Sequence, residues 1–218
     1  MGAVVQSVGK VSFTGATGAG AVTITFGANL SGTNFVAVPL EFFSGTSTAV
    51  SGITAAGTAM AARKQGNPTG TNQADIWDVA TNAGGSPTVS ISFGTGAHDG
   101  FASALEFAST GSDGKENSIA QAASLAPSVS SSAASSQANT LSLAVSSSGS
   151  ASNPNTYTQP VGWTGLGTEV NGATNNSGAT AYFEDTVAQV ETATWAETNS
   201  ATTTNVIVVY KTDRKSVV

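Results

Sequence analysis

Apolar and polar side chains alternate along most of this 218-residue chain. Val22, Ile24 and Phe26 are separated by Thr23 and Thr25, the period of two that turns one set toward a core and the other toward water. Val89-Ser90-Ile91-Ser92-Phe93 and Leu141-Ser142-Leu143-Ala144-Val145 repeat the pattern, so all three are read as half-buried antiparallel strands. A second kind of segment is apolar at every position. Phe35-Val36-Ala37-Val38 and Val206-Ile207-Val208-Val209-Tyr210 predict central strands covered on both faces, either within the chain or by a neighbouring subunit. Phe101 to Phe107 and Asp75 to Val79 are further strand segments.

Gly, Asn, Ser and Pro punctuate these runs, and helical spacing is scarce. The best helix candidate is Asn117 to Leu125, where Ile119, Ala122, Ala123 and Leu125 share a face before Pro127 ends it. Short strands at regular intervals with Gly-rich turns point away from βαβ units. The expected fold is all-β, an antiparallel β-sandwich of jelly-roll-like topology with Gly/Ser/Asn-rich loops. The Ser/Ala-rich stretch from Pro127 to Pro154 has a linker's composition, yet Leu141, Leu143 and Val145 mark a strand inside it. One sandwich domain over residues 1–218, with flexible ends near 1–3 and 212–218, is therefore preferred over two domains. No repeat of 20–50 residues is visible, which disfavours solenoids and propellers.

Composition narrows the chemistry. Ala (35), Gly (25) and Ser plus Thr (59) occupy 119 positions, and only 9% of residues are charged, against about 25% in ordinary domains. The surface must be built from hydroxyls and amides. With no Cys and one His, thiol catalysis, disulfides, Fe–S clusters and the usual zinc sites lack ligands. A net charge of −6 and scattered basic residues argue against nucleic acid as a partner; Arg63-Lys64 and Lys211, Arg214, Lys215 are the only groupings. No apolar run approaches the ~20 residues of a membrane span, and Met1 to Gln6 has no basic segment of a secretory signal.

Catalytic constellations are sparse. His98 precedes Asp99 in Gly94-Thr95-Gly96-Ala97-His98-Asp99-Gly100, a segment read as a loop exposing the histidine, and no Gly-x-Ser-x-Gly elbow accompanies it. Acid pairs such as Asp75 with Asp78, Glu184 with Asp185 and Glu191 with Glu197 are what any chain with thirteen acids offers; glycosidase chemistry needs two carboxyls about 5–10 Å apart. Asp75 and Asp78 fall on opposite faces of a strand. Asp113-Gly114-Lys115-Glu116-Asn117 has oxygen donors without calcium-loop spacing. Gly15 to Gly20 precedes a strand where a phosphate cradle needs a helix, and reads as a hairpin turn. No catalytic residue, cofactor or metal is expected.

The aromatic residues suggest contacts. Trp163 in Pro160-Val161-Gly162-Trp163-Thr164-Gly165 either anchors a loop or presents its ring to a sugar, with Tyr157 beside it. Trp77 and Trp195 sit in strand-like runs and read as packing. The pair Phe42-Phe43 reads either as ordinary core or as an exposed docking patch.

The order of segments resembles a β-sandwich domain family of tail-associated and decoration proteins of actinobacterial-type phages, also seen in some bacterial surface proteins. The resemblance runs through Val22 to Phe26, Phe35 to Leu40, Val50-Ser51-Gly52-Ile53, Gly57-Thr58-Ala59-Met60, Asp75-Ile76-Trp77, Gly84 to Phe93, Ala104-Leu105-Glu106-Phe107, Thr194-Trp195 and Val206 to Tyr210. It departs at Glu41-Phe42-Phe43, where the family carries an aromatic or branched pair, and in the Ser-rich 127–154 stretch. The resemblance implies a non-enzymatic virion structural protein, made in the host cytoplasm and released by lysis. Its implied partners are major capsid or tail proteins of the particle, further copies of itself, or a host-surface glycan. The alternative is a carbohydrate-binding or adhesive module of a bacterial surface protein.

Overall fold

A computed structural model describes residues 3–44, 50–66, 72–149, 155–171 and 176–212. Among them there are strands and turns but no α-helix. The first nine strands are β1 (Val4–Ala16), β2 (Val22–Thr25), β3 (Phe35–Ser44), β4 (Val50–Ala55), β5 (Thr58–Ala59), β6 (Ala61–Gly66), β7 (Asn72–Val79), β8 (Thr88–Phe93) and β9 (His98–Phe107). They form two antiparallel sheets, sheet I in the order β1-β9-β3-β7-β6 and sheet II in the order β2-β8-β4-β5. The pairs β1/β9, β2/β8, β3/β7 and β4/β5 are those of one long antiparallel ribbon folded at the β4–β5 turn. Rolling that ribbon adds β3/β9 and β4/β8. This is a jelly roll, with β6 as an added edge strand.

The remaining strands repeat the plan. They are β10 (Gly111–Ser112), β11 (Asn117–Ser124), β12 (Ser128–Ser130), β13 (Thr140–Gly149), β14 (Tyr157–Thr158), β15 (Thr164–Asn171), β16 (Asn176–Asp185), β17 (Thr192–Thr194), β18 (Ala196–Glu197) and β19 (Ala201–Lys211). Sheet III runs β11-β19-β13-β16-β15, with β10 extending β11 along the edge of β19. It matches sheet I strand for strand, and the ribbons β12-β17 and β14-β18 stand where β2-β8-β4 stand in sheet II. Counterpart strands start at Phe35 and Thr140, Asn72 and Asn176, and His98 and Ala201, which are 105, 104 and 103 residues apart. The chain is thus a tandem pair of jelly rolls. The expected two-layer sandwich becomes a stack: sheet II, sheet I, sheet III, then the two ribbons.

Three apolar layers fill the stack. Between sheets I and II lie Ile24, Val38, Leu40, Phe42, Ile91 and Phe93, among others; between sheets I and III lie Ile76, Leu105, Phe107, Leu143, Val208 and Tyr210; beneath the ribbons lie Ala144, Ala179, Ala181, Trp195 and Ile207. Sheets I and III are therefore covered on both faces, which is why residues 35–40 of β3 and 206–210 of β19 are apolar without a break. The cover comes from this chain itself. Contacts between the rolls are reciprocal: β3 lies over β13, β7 meets β13 and β19 as β16 meets β3 and β9, and β1 meets β15 as β11 meets β6. Such reciprocity is the mark of a self-complementary, two-fold interface.

Three local expectations change. Asn117 to Leu125 is strand β11 rather than helix, because the edge of β19 offers it backbone partners from Asn117↔Ile207 to Ser124↔Ala201. The run Gly15 to Gly20 closes no hairpin. It is a corner that takes the chain from sheet I to sheet II, with Gly15, Gly18 and Gly20 at positive φ, the region that suits glycine. At the ends, Ala3 and Thr212 are buried, and Thr212 bonds Asn139 through both its N–H and its hydroxyl. Residues 1–2 and 213–218, with Arg214 and Lys215, lie outside the described residues, as do 150–154.

Candidate functional site

The aromatic residues sort by layer. Phe42 is 0% exposed and points into the sheet I–II core, edge-on to Phe93 at 5.7 Å. Its place in the alternation of β3 puts it beside Val38 and Leu40, so it is not a docking residue. Phe43 lies on the opposite face and is half-buried. Tyr157, expected at a glycan contact, is buried against Trp195 at 6.2 Å and 87°, and Ser146 Oγ donates to its hydroxyl. Burial, followed by the nearby Glu197, pushes its pKa well above the ordinary phenol value. It offers no surface to a sugar, because β14 turns it inward. Trp163 is different: it stacks on Phe183 at 5.7 Å and 26°, both rings partly exposed, beside a fully exposed Val161.

His98 is not in an exposed loop. It opens β9, is wholly buried, stacks on Phe93 at 4.6 Å and donates from Nδ1 to the Ala16 carbonyl, 3.0 Å away. Asp99 instead accepts from the Gly15 N–H at 2.7 Å, so it ties down the glycine corner. With no solvent access, His98 is a packing residue.

The acids are mostly structural pins. Asp78 accepts two bonds from Arg63, at 2.7 and 2.9 Å, and one from the Tyr210 hydroxyl at 2.9 Å, which fastens sheet I to sheet III. Asp75 lies on the other face of β7, where burial raises it to about 6 against the hydrogen bond from Gln65. Glu106 takes bonds from Ser31 N–H and Asn34 Nδ2. Glu184 accepts from the Val4 N–H. Asp113 accepts from Ser136 through its N–H and hydroxyl, which closes the segment weighed as a calcium loop. Among the described residues no three of His, Asp and Glu converge as metal ligands.

The interior of the second roll was not anticipated. Glu191, Ala193, Trp195 and Glu197 all point inward along β17 and β18. The two carboxyls are six residues apart, about 20 Å along a strand, too far to act as a glycosidase pair. Burial lifts Glu197 to about 7, and burial together with the adjoining Asp185 carboxyl lifts Glu191 to about 8. The signal was present as period two in residues 191–197, with acids on the inward beat. Comparison with protein-family models, with curated proteins and with solved structures finds no match.

Proposed function

We propose that the chain is a non-enzymatic structural subunit of a phage virion, a capsid decoration or tail-associated protein that docks onto neighbouring subunits. The observation that carries this reading is the outer face of sheet II. Its outward positions are Thr23, Thr25, Ser51, Thr54, Ser90 and Ser92, an uncharged array of hydroxyls on a sheet whose other face is packed core. Such a face docks by shape and hydrogen bonding, which salt hardly screens, and many copies on one particle multiply a modest affinity. Jelly rolls serve both capsids and lectins, so the fold supports the reading only by analogy; the resemblance in segment order adds to it. The test is gradient-purified particles analysed by quantitative mass spectrometry. A fixed copy number that survives 1 M salt is expected on the screening argument, and absence from intact particles overturns the reading.

The Trp163–Phe183 pair favours a second reading, a carbohydrate-binding module. A glycan array with Trp163→Ala as control tests it: specific binding lost on substitution supports the module, and no binding by the parent chain removes it.

A further inference from the structure

One end of the second roll's interior gathers oxygen atoms, two of which, Thr140 Oγ1 and Glu191 Oε1, the hydrogen bonds of the fold leave unused. Asp185 closes β16 and is 7% exposed; Glu191 leads into β17 and is 2% exposed; their carboxyl groups lie within hydrogen-bonding reach of each other. Directly across from Asp185 in the β13–β16 register stands Thr140. Side chains so paired sit on one face with Cβ atoms about 5 Å apart. Thr140 is fully buried, and neither its Oγ1 nor Glu191 Oε1 has a hydrogen-bond partner.

The surroundings are held in place. Asp185 is oriented by the N–H groups of Thr186 and Val187, at 2.6 and 3.0 Å, and by Gln189 Nε2 at 2.6 Å. The 185–191 loop is clamped to the 131–135 segment by Ser131 Oγ, which accepts from the Glu191 N–H at 3.1 Å, and by Ser135 Oγ, which accepts from the Gln189 N–H at 3.3 Å. Two buried carboxyl groups in contact call for a positive partner between them, and the Thr140 hydroxyl and Glu191 Oε1 stand unsatisfied in the same interior. A cation satisfies all of them at once. The donors are all oxygen, two of them carboxylates able to bind through one or both atoms, on a loop rather than in a rigid octahedral cage. Those preferences are calcium's rather than magnesium's or zinc's.

We propose that a calcium ion binds between Asp185 and Glu191, with Thr140 Oγ1 as a further ligand and water completing the shell. The site is independent of the docking reading. It is tested on the full chain, stripped with chelator and dialysed, by isothermal titration with CaCl2 and by calorimetric melting. One ion per chain is expected, with Kd on the order of 10⁻⁴ M. At a hundredfold excess over Kd the melting temperature rises by roughly 5–10 °C, and equal MgCl2 has little effect. Glu191→Gln, which keeps shape and removes charge, abolishes both signals; Thr140→Val weakens binding about tenfold. Circular dichroism of each variant confirms an unchanged fold. Absence of heat and of any melting shift in the parent chain up to about 10 mM CaCl2, well above that Kd range, overturns the proposal. Undiminished binding by Glu191→Gln overturns it equally, because the ion then sits elsewhere.

Discussion

Replacing Gly178 with alanine probes how closely the two rolls approach. Gly178 lies on β16, and a Cβ built there falls 2.7 Å from Glu41 Cδ, nearer still to Glu41 Cγ, and 2.8 Å from the Ser146 carbonyl. Carbon atoms in contact prefer about 3.5–4.0 Å, so something must shift by roughly 1 Å. The carbonyl belongs to β13, locked in register with β16. Glu41 has no slack either: it is wholly buried and accepts from Asn176 Nδ2 at 2.8 Å and from Ser147 Oγ at 3.3 Å. Overpacking of this kind costs about 1–3 kcal/mol, and breaking the glutamate's hydrogen bonds adds about 1–3 kcal/mol. The expected loss is about 2–6 kcal/mol, or on the order of 10 °C in Tm for a chain of this length. Urea denaturation followed by near-ultraviolet circular dichroism measures it. A double-mutant cycle with Glu41→Ala shows whether the clash is with that side chain, because the pair then couples by at least about 1 kcal/mol. A Gly178→Ala variant within about 0.5 kcal/mol of the parent, the range of ordinary surface changes, refutes the close approach of sheets I and III.

Three further outcomes are expected. Phe42→Ala costs about 3–5 kcal/mol in urea denaturation as a core cavity, and Phe43→Ala costs clearly less; the reverse order contradicts their assignment to opposite faces of β3. Tyr210→Phe removes one donor from the buried Asp78 and lowers stability by about 1.5–3 kcal/mol, the value of a hydrogen bond to a charged group, read from the same curves; no loss means that the bond is not made. Stability falls with rising pH in the presence of chelator: Glu191 and Glu197 are raised from an ordinary 4.5 to about 8 and about 7. Their contribution is therefore complete below about pH 4.5 and is lost as pH climbs through those values. Scanning calorimetry from pH 4.5 to 9 checks this, with Glu191→Gln losing the alkaline part of the decline; a Tm that rises over that range contradicts it.

The alternation of Val22 to Phe26, Val89 to Phe93 and Leu141 to Val145 was enough to name strands, and the unbroken apolar runs of β3 and β19 were enough to name covered ones, but Leu141 to Val145, read as half-buried, is covered on both faces. What covers them was not legible, because a run of valines is the same whether its second cover is another sheet or another molecule. The tandem repeat was hidden for a related reason. Inward positions that hold Ile91 and Phe93 in the first roll hold Trp195 and Glu197 in the second, so topology is kept while side-chain identity is not. Asn117 to Leu125 misled because alanines fit helices and edge strands alike until the free edge of β19 decides. The turn setting of Trp163 was legible from its neighbouring glycines, and its stacking on Phe183 was not. The convergence of Asp185, Glu191 and Thr140 was not, since it depends on a β13–β16 register spanning 45 residues of chain from Thr140 to Asp185.

Joining the two rolls in one polypeptide has a consequence for how freely each can vary. An encounter that separate molecules would make only at high concentration becomes permanent, at an effective concentration on the order of millimolar for a short tether. The first roll, filled with phenylalanine, isoleucine and leucine, supplies the larger apolar core of the two. The partner's core, where alanines pack around Trp195 and buried acids stand at its edge, is relieved of the duty of holding a fold together unaided, and side-chain changes there carry less risk to the rest.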